Sequence, residues 1–153
     1  MSLQPGQPAP AFTIFSSENK PVSLRDFAEK PVVLLFFPMA FTSVCTAELC
    51  ALRDDLGAYT DLNAQVLAIS VDSPFTLAKF KADQTLPFPL LSDFNKEIST
   101  AYGALYENFV MNMRGVSKRA AFVIGADGLI KHAEVLENAG NVPDFEAVKA
   151  ALR

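Results

Sequence analysis

Val32-Val33-Leu34-Leu35-Phe36-Phe37, running on into Pro38-Met39-Ala40-Phe41-Thr42-Ser43-Val44-Cys45-Thr46-Ala47-Glu48-Leu49-Cys50, is the stretch whose reading decides the fold. The six apolar residues show no polar alternation, which fits a strand buried on both faces at the centre of a helix-covered sheet. A buried helix would give the same composition, but six residues ending at a proline is strand length. Past Pro38, Thr42 or Ser43 suits a helix N-cap. Glu48 then falls within the first turns, and Leu49, Leu52 and Leu56 recur at helical spacing. The spacing predicts a helix from about Ser43 to Tyr59. Cys45 therefore lies near a helix N-terminus just past a strand end, where open α/β sheets place their sites.

That address has a chemical consequence. The thiolate is the reactive form of cysteine. Unpaired amide N–H groups and the positive end of the helix dipole favour it. Thr42 stands three residues before Cys45, within reach of directing its hydroxyl toward the sulfur. Pro38 donates no backbone hydrogen bond, so it walls a pocket without competing for an anion. Met39, Ala40 and Phe41 keep that wall apolar.

Outward from this stretch, strands and helices alternate. The segment 1–11 holds prolines and a glycine and reads as extended. Pro10–Ile14 reads as a first short strand, pairing with Lys20–Val22 across a turn at Ser16–Asn19. Ser23 caps a short helix, Leu24 to Glu29. Ala64–Val71 is a second apolar strand. Ser73 with Pro74 marks a helix start running through Phe80. Phe88–Asp93 reads as a short strand and Asn95–Ala101 as a short helix. Residues 104–118 read as a loop. Arg119–Ile124 and Leu129–Val135 flank Ala126-Asp127-Gly128, a hairpin with Asp-Gly at its turn. Asn141 or Asp144 starts a last helix to Leu152. The order predicts one domain over 1–153: a thioredoxin-like α/β sandwich, its mixed central sheet flanked by helices, with the N-terminal strand pair added.

Composition narrows the function. Half of the 153 residues are apolar, mean hydropathy is +0.22, and this length buries a sizeable core. Thirteen Phe and no Trp point to a Phe-rich core and a Phe-lined interface. The net charge of −4 offers no basic patch for nucleic acid or an anionic membrane. No apolar run reaches membrane-spanning length. Met1-Ser2-Leu3-Gln4-Pro5 lacks the pattern of a secretory signal, so a cytoplasmic protein is expected. Two cysteines in that compartment suggest redox or catalytic use. With a single His they cannot form an ordinary zinc site without carboxylates.

The motif Pro38-x-x-x-Thr42-x-x-Cys45 resembles the active-site signature of the peroxiredoxin family at every defining position. Phe37-Pro38-Met39-Ala40-Phe41-Thr42 resembles the one-cysteine alkyl hydroperoxide reductase E type. Cys45-Thr46-Ala47-Glu48-Leu49-Cys50 resembles the bacterioferritin-comigratory type, which resolves with a cysteine five residues on. The Pro-x-Phe-Thr-Ile segment, Tyr102-Gly103 and Arg119-x-x-Phe122-Val123-Ile124 are also family-like. The resemblance implies a thiol peroxidase without metal or haem. Cys45 would attack a hydroperoxide and become a sulfenic acid, and thioredoxin or a low-molecular-weight thiol would return the electrons. It also implies that Arg119 is the cation at the sulfur, with Lys118 and Arg114 as nearby alternatives, and that Glu48 tethers Arg119. A plain first-turn acid is the other reading of Glu48.

Cys50 stays open between resolving Cys45 and lying passive. An intact helix separates their Cα atoms by about 8.6 Å and about 140° around the axis, whereas disulfides span roughly 4.4–6.8 Å. Resolution would therefore need the helix start to unwind. His132, mid-strand, reads as structural. A thioredoxin-like reductase is disfavoured by the missing Cys-x-x-Cys. A peroxide-responsive sensor or holdase without turnover is the alternative from another class. A homodimer over the active-site loop is implied by resemblance alone.

Overall fold

The computed structural model describes residues 3–153. Met1 and Ser2, which begin the segment read as extended and without a secretory signal, lie outside the described residues. The chain forms β1 (Thr13–Ser16), β2 (Pro21–Ser23), β3 (Val32–Phe36), α1 (Ser43–Asp54), α2 (Leu56–Asp61), β4 (Gln65–Ser70), α3 (Pro74–Gln84), β5 (Leu90–Ser92), α4 (Glu97–Ala101), β6 (Leu105–Tyr106), β7 (Val116–Ser117), β8 (Arg119–Ile124), β9 (Ile130–Leu136) and α5 (Phe145–Leu152). Seven strands make one sheet in the order β2-β1-β5-β4-β3-β8-β9. β3, β4 and β5 are parallel, and β8 runs antiparallel to β3. The expected mixed sheet with a strand pair at its N-terminal end is what the chain forms.

β3 shows why its sequence has no alternation. Val33, Leu35 and Phe37 enter one core with Leu49 and Leu52 of α1, Tyr59 of α2, Leu77 and Phe80 of α3, and Val148 of α5. Val32, Leu34 and Phe36 enter the other core with Phe12, Leu67, Ile98, Tyr102 and Phe122. Successive side chains of a strand point to opposite faces, so both faces of β3 are dry. Each such side chain contributes about 1.5–3 kcal/mol by burial.

Three expectations are corrected. The predicted Ser43–Tyr59 helix is two helices, broken at Asp55, which takes φ −108° and ψ 14°. Asp54, Asp55 and Gly57 are poor helix formers and sit together there. Residues 104–118 are not a loop: β6 and β7 pair antiparallel, joined through a tight turn at Val110–Asn112. Strands of two residues are too short for alternation to show. The first strand begins at Thr13 rather than Pro10.

The remaining starts and stops follow local chemistry. Ser73 Oγ accepts the Thr76 N–H at 3.1 Å, and Pro74 opens α3. Asp144 Oδ1 accepts the Ala147 N–H at 3.1 Å and starts α5. Gly128, at φ +82°, allows the tight turn between β8 and β9. Among the described residues no helix is long and apolar enough to cross a membrane.

Candidate active site

The C-terminal end of β3 delivers the chain to the site. Phe37 N–H donates to Ile69 O at 2.9 Å, extending the sheet one residue, and the buried Pro38 ends it. Phe41 then turns the chain with φ +68°, a left-handed conformation unfavourable for a bulky residue. The turn is held from outside. Ala40 N–H donates to Asp72 Oδ2 at 2.8 Å, and Ser70 Oγ donates to the same oxygen at 2.7 Å.

Thr42 occupies the N-cap of α1 in extended conformation, φ −94° and ψ 153°. Its carbonyl accepts the Thr46 N–H at 2.9 Å. Cys45 is the third residue of α1, so its amide has no intrahelical acceptor. Cys45 is only 1% exposed, at the floor of a site whose rim, Phe41 to Ser43, is open to solvent.

Arg119, the first residue of β8, is brought over the sulfur by the β3–β8 pairing and is itself 1% exposed. Its fork of donors is divided three ways. Nη2 donates to Cys45 Sγ at 3.1 Å, Nη1 to Glu48 Oε1 at 2.6 Å, and Nε and Nη2 to Ala139 O at 3.1 and 2.9 Å. Burial works against the guanidinium charge, but Glu48 and Cys45 outweigh it and the pKa of Arg119 is raised. Burial pushes the Glu48 carboxyl up to about 7, against the pull of Arg119. Glu48 Oε2 is buried with no hydrogen-bond partner among the described residues.

Cys45, Glu48 and Arg119 are thus in one contact cluster, with Pro38 and Thr42 on the loop beside it. The Thr42 hydroxyl donates to Met39 O at 2.8 Å rather than to the sulfur. Lys118 faces outward and pairs with Glu137 at 2.7 Å. Cys50 is a half-buried free thiol on another face of α1, donating to Gln84 Oε1 at 3.4 Å. His132 pairs with Glu134 at 3.2 Å on β9.

Sequence reasoning missed three supports. Asp72 holds the strained turn, the Ala139 carbonyl fills the back of the Arg119 fork, and Tyr106 Oη donates to Glu137 O at 2.6 Å in the same loop. Only Asp72 carried a signal, its place just past the end of an apolar strand.

Comparison with known proteins gives one answer. Residues 5–133 match the AhpC/TSA family model. A Mycobacterium tuberculosis protein assigned to the peroxiredoxins is 42% identical over 134 residues, 86% of this chain and 85% of the relative. Alkyl hydroperoxide reductase E of Mycobacterium bovis is 38% identical over 145 residues, 93% of this chain and 91% of the relative. The crystal structure of peroxidoxin BcpB from Mycobacterium tuberculosis superposes with a TM-score of 0.87 at 27% identity, covering 99% of this chain and 97% of the other. A thioredoxin-like sheet with a buried cysteine at a helix N-terminus under a buried arginine, joined to sequence agreement over most of its length, makes this chain a member of the AhpC/TSA family, a peroxiredoxin.

Proposed function

We propose that this chain is a thiol-dependent peroxidase in which Cys45 attacks hydrogen peroxide and organic hydroperoxides. The contact between Arg119 Nη2 and Cys45 Sγ at 3.1 Å, at a buried helix N-terminus, carries the reading. A thiolate there accepts a charge-assisted hydrogen bond and the field of unpaired amides. Its lone pair attacks the terminal peroxide oxygen. The S–O bond forms, the O–O bond breaks, and the leaving oxygen takes a proton to become water or an alcohol. Sulfur loses two electrons and the peroxide gains them. Negative charge grows on the leaving oxygen, and donors fixed in advance stabilise it most. Arg119, the Cys45 amide and the Thr42 hydroxyl, once turned from Met39 O, are those donors. Pro38 shields the sulfur, and Glu48 orients Arg119.

Cys50 then resolves the sulfenic acid, forming a disulfide and water. This needs the first turns of α1 to unwind, because the intact helix holds the two Cα atoms about 8.6 Å apart. Thioredoxin or a low-molecular-weight thiol reduces the product. The chain acts as one domain over 1–153 in the cytoplasm and pairs as a homodimer. The aromatic surface at this end of the sheet supports pairing: Phe41, Phe75, Phe94 and Phe15 are 51%, 75%, 59% and 55% exposed, and the last three line an open cleft of about 500 Å³.

Peroxide consumption by the reduced protein, followed with a thioredoxin system, tests the reading. Catalytic turnover that vanishes in Cys45→Ser is expected. Oxidation once per chain followed by a stall would instead favour a sensor.

A further inference from the structure

One guanidinium serves two buried acids. Cys45 and Glu48 stand three residues apart on α1, one helical turn, so both face Arg119. Cys45 Sγ takes Nη2 and Glu48 Oε1 takes Nη1. Among the described residues Glu48 Oε2 has no donor, and it is shut off from solvent. If both acids were ionised, the pocket would hold an uncompensated buried charge, which is strongly unfavourable. Among the described residues no other cation pairs with Glu48. Lys118 turns to Glu137, Lys149 on α5 turns to Asp55 and Glu146, and the loop after β9 gives Arg119 the neutral Ala139 carbonyl.

We infer that Glu48 and Cys45 share a single proton: Glu48 carries it on Oε2 while Cys45 is a thiolate, and releases it when the sulfur becomes a neutral sulfenic acid. This rests on the peroxidase reading and adds a role to Glu48 beyond holding Arg119. Oxidation removes the anion from Nη2, and the whole guanidinium charge then falls to Glu48, which favours its ionisation. The direction agrees with the burial-driven rise of the Glu48 carboxyl in the reduced state. The balance is complete: thiolate, hydroperoxide and the Glu48 carboxylic acid become sulfenic acid, alcohol or water, and the Glu48 carboxylate. Glu48 is a positioning residue that also settles the proton account of the step.

The test uses the full chain with Cys50→Ser, so that oxidation stops at the sulfenic acid. One equivalent of hydrogen peroxide is mixed with the reduced protein at about pH 6, where a carboxyl pushed up to about 7 keeps most of its proton. A pH-indicator dye in weak buffer reads proton uptake, and ultraviolet thiolate absorbance reads oxidation in the same shot. The parent is expected to lose its thiolate with no net uptake, and Glu48→Gln to take up one proton per peroxide. Infrared difference spectra of the parent should lose a carboxylic-acid carbonyl band on oxidation, a readout that does not depend on the variant folding. Equal stoichiometry in parent and Glu48→Gln, or no lost acid band, overturns the shared proton. Failure to consume peroxide at all would instead remove the peroxidase reading.

Discussion

Ala40 N–H donates to Asp72 Oδ2 at 2.8 Å, across the gap between the loop that follows β3 and the end of β4. The bond holds the residue immediately before Phe41, whose φ of +68° stores strain. A carboxylate acceptor makes the bond stronger than a neutral one. Asp72 therefore sets where Thr42 and Cys45 begin their helix.

Asp72→Ala should let that turn relax. The expected loss is about 1–3 kcal/mol of stability, the range for a buried partner left unpaired, with peroxide reduction slowed at least tenfold. Asp72→Asn keeps an acceptor and should recover most of both. Urea unfolding and stopped-flow peroxide reduction measure the two effects. An Ala variant as fast as the parent would show that the strained turn holds itself.

Arg119→Lys keeps the charge and loses the fork. One ammonium cannot reach Cys45, Glu48 and Ala139 O in the geometry that the guanidinium spans. Removing one fixed donor from a developing anion typically costs about 10²–10³ in rate. A fall of that size in the second-order constant is expected. Full activity in the Lys variant would assign the role to charge alone.

Glu48 makes stability depend on pH in an unusual sense for a carboxyl. Its pKa is raised from 4.5 to about 7 by burial, so the folded protein binds more protons than the unfolded one between those values. Ionising it opposes folding. Its contribution is fully present below about 4.5 and is lost as pH rises through about 7. Urea midpoints should show Glu48→Gln gaining on the parent across this window. Parallel curves for the two proteins would mean that Arg119 keeps the carboxylate charged.

Tyr106→Phe removes one hydroxyl remote from the sulfur. Its bond to Glu137 O at 2.6 Å steadies the loop that carries Ala139 O to Arg119. Losing about 1 kcal/mol there should slow peroxide reduction severalfold, a smaller fall than that of Arg119→Lys. A change in melting temperature alone would confine Tyr106 to structure.

Cys50 decides how oxidation ends. After one equivalent of peroxide, mass spectrometry of the parent should show loss of two hydrogens, for a bond between Cys45 and Cys50. Cys50→Ser should retain a sulfenic acid and depend on an added thiol. A persistent sulfenic acid in the parent would make this a one-cysteine enzyme, consistent with the Cys50 thiol being turned toward Gln84.

The sequence by itself determined the architecture where the pattern is local. The unbroken run Val32–Phe37 required a strand with two dry faces, Ser73-Pro74 and Asp144 marked helix starts, and Asp127-Gly128 marked a turn. It also placed Cys45 at a helix N-terminus, because strand, proline and cap lie within a few residues of one another. Tertiary structure alone decided what surrounds the sulfur. Arg119 lies 74 residues from Cys45 and reaches it because β8 pairs beside β3. Asp72 and Ala139 arrive from two further segments, and the two-residue strands β6 and β7 carry no periodicity to read. Spacing along the chain reports which face a side chain takes; which distant backbone or charge meets it is fixed by strand order and packing.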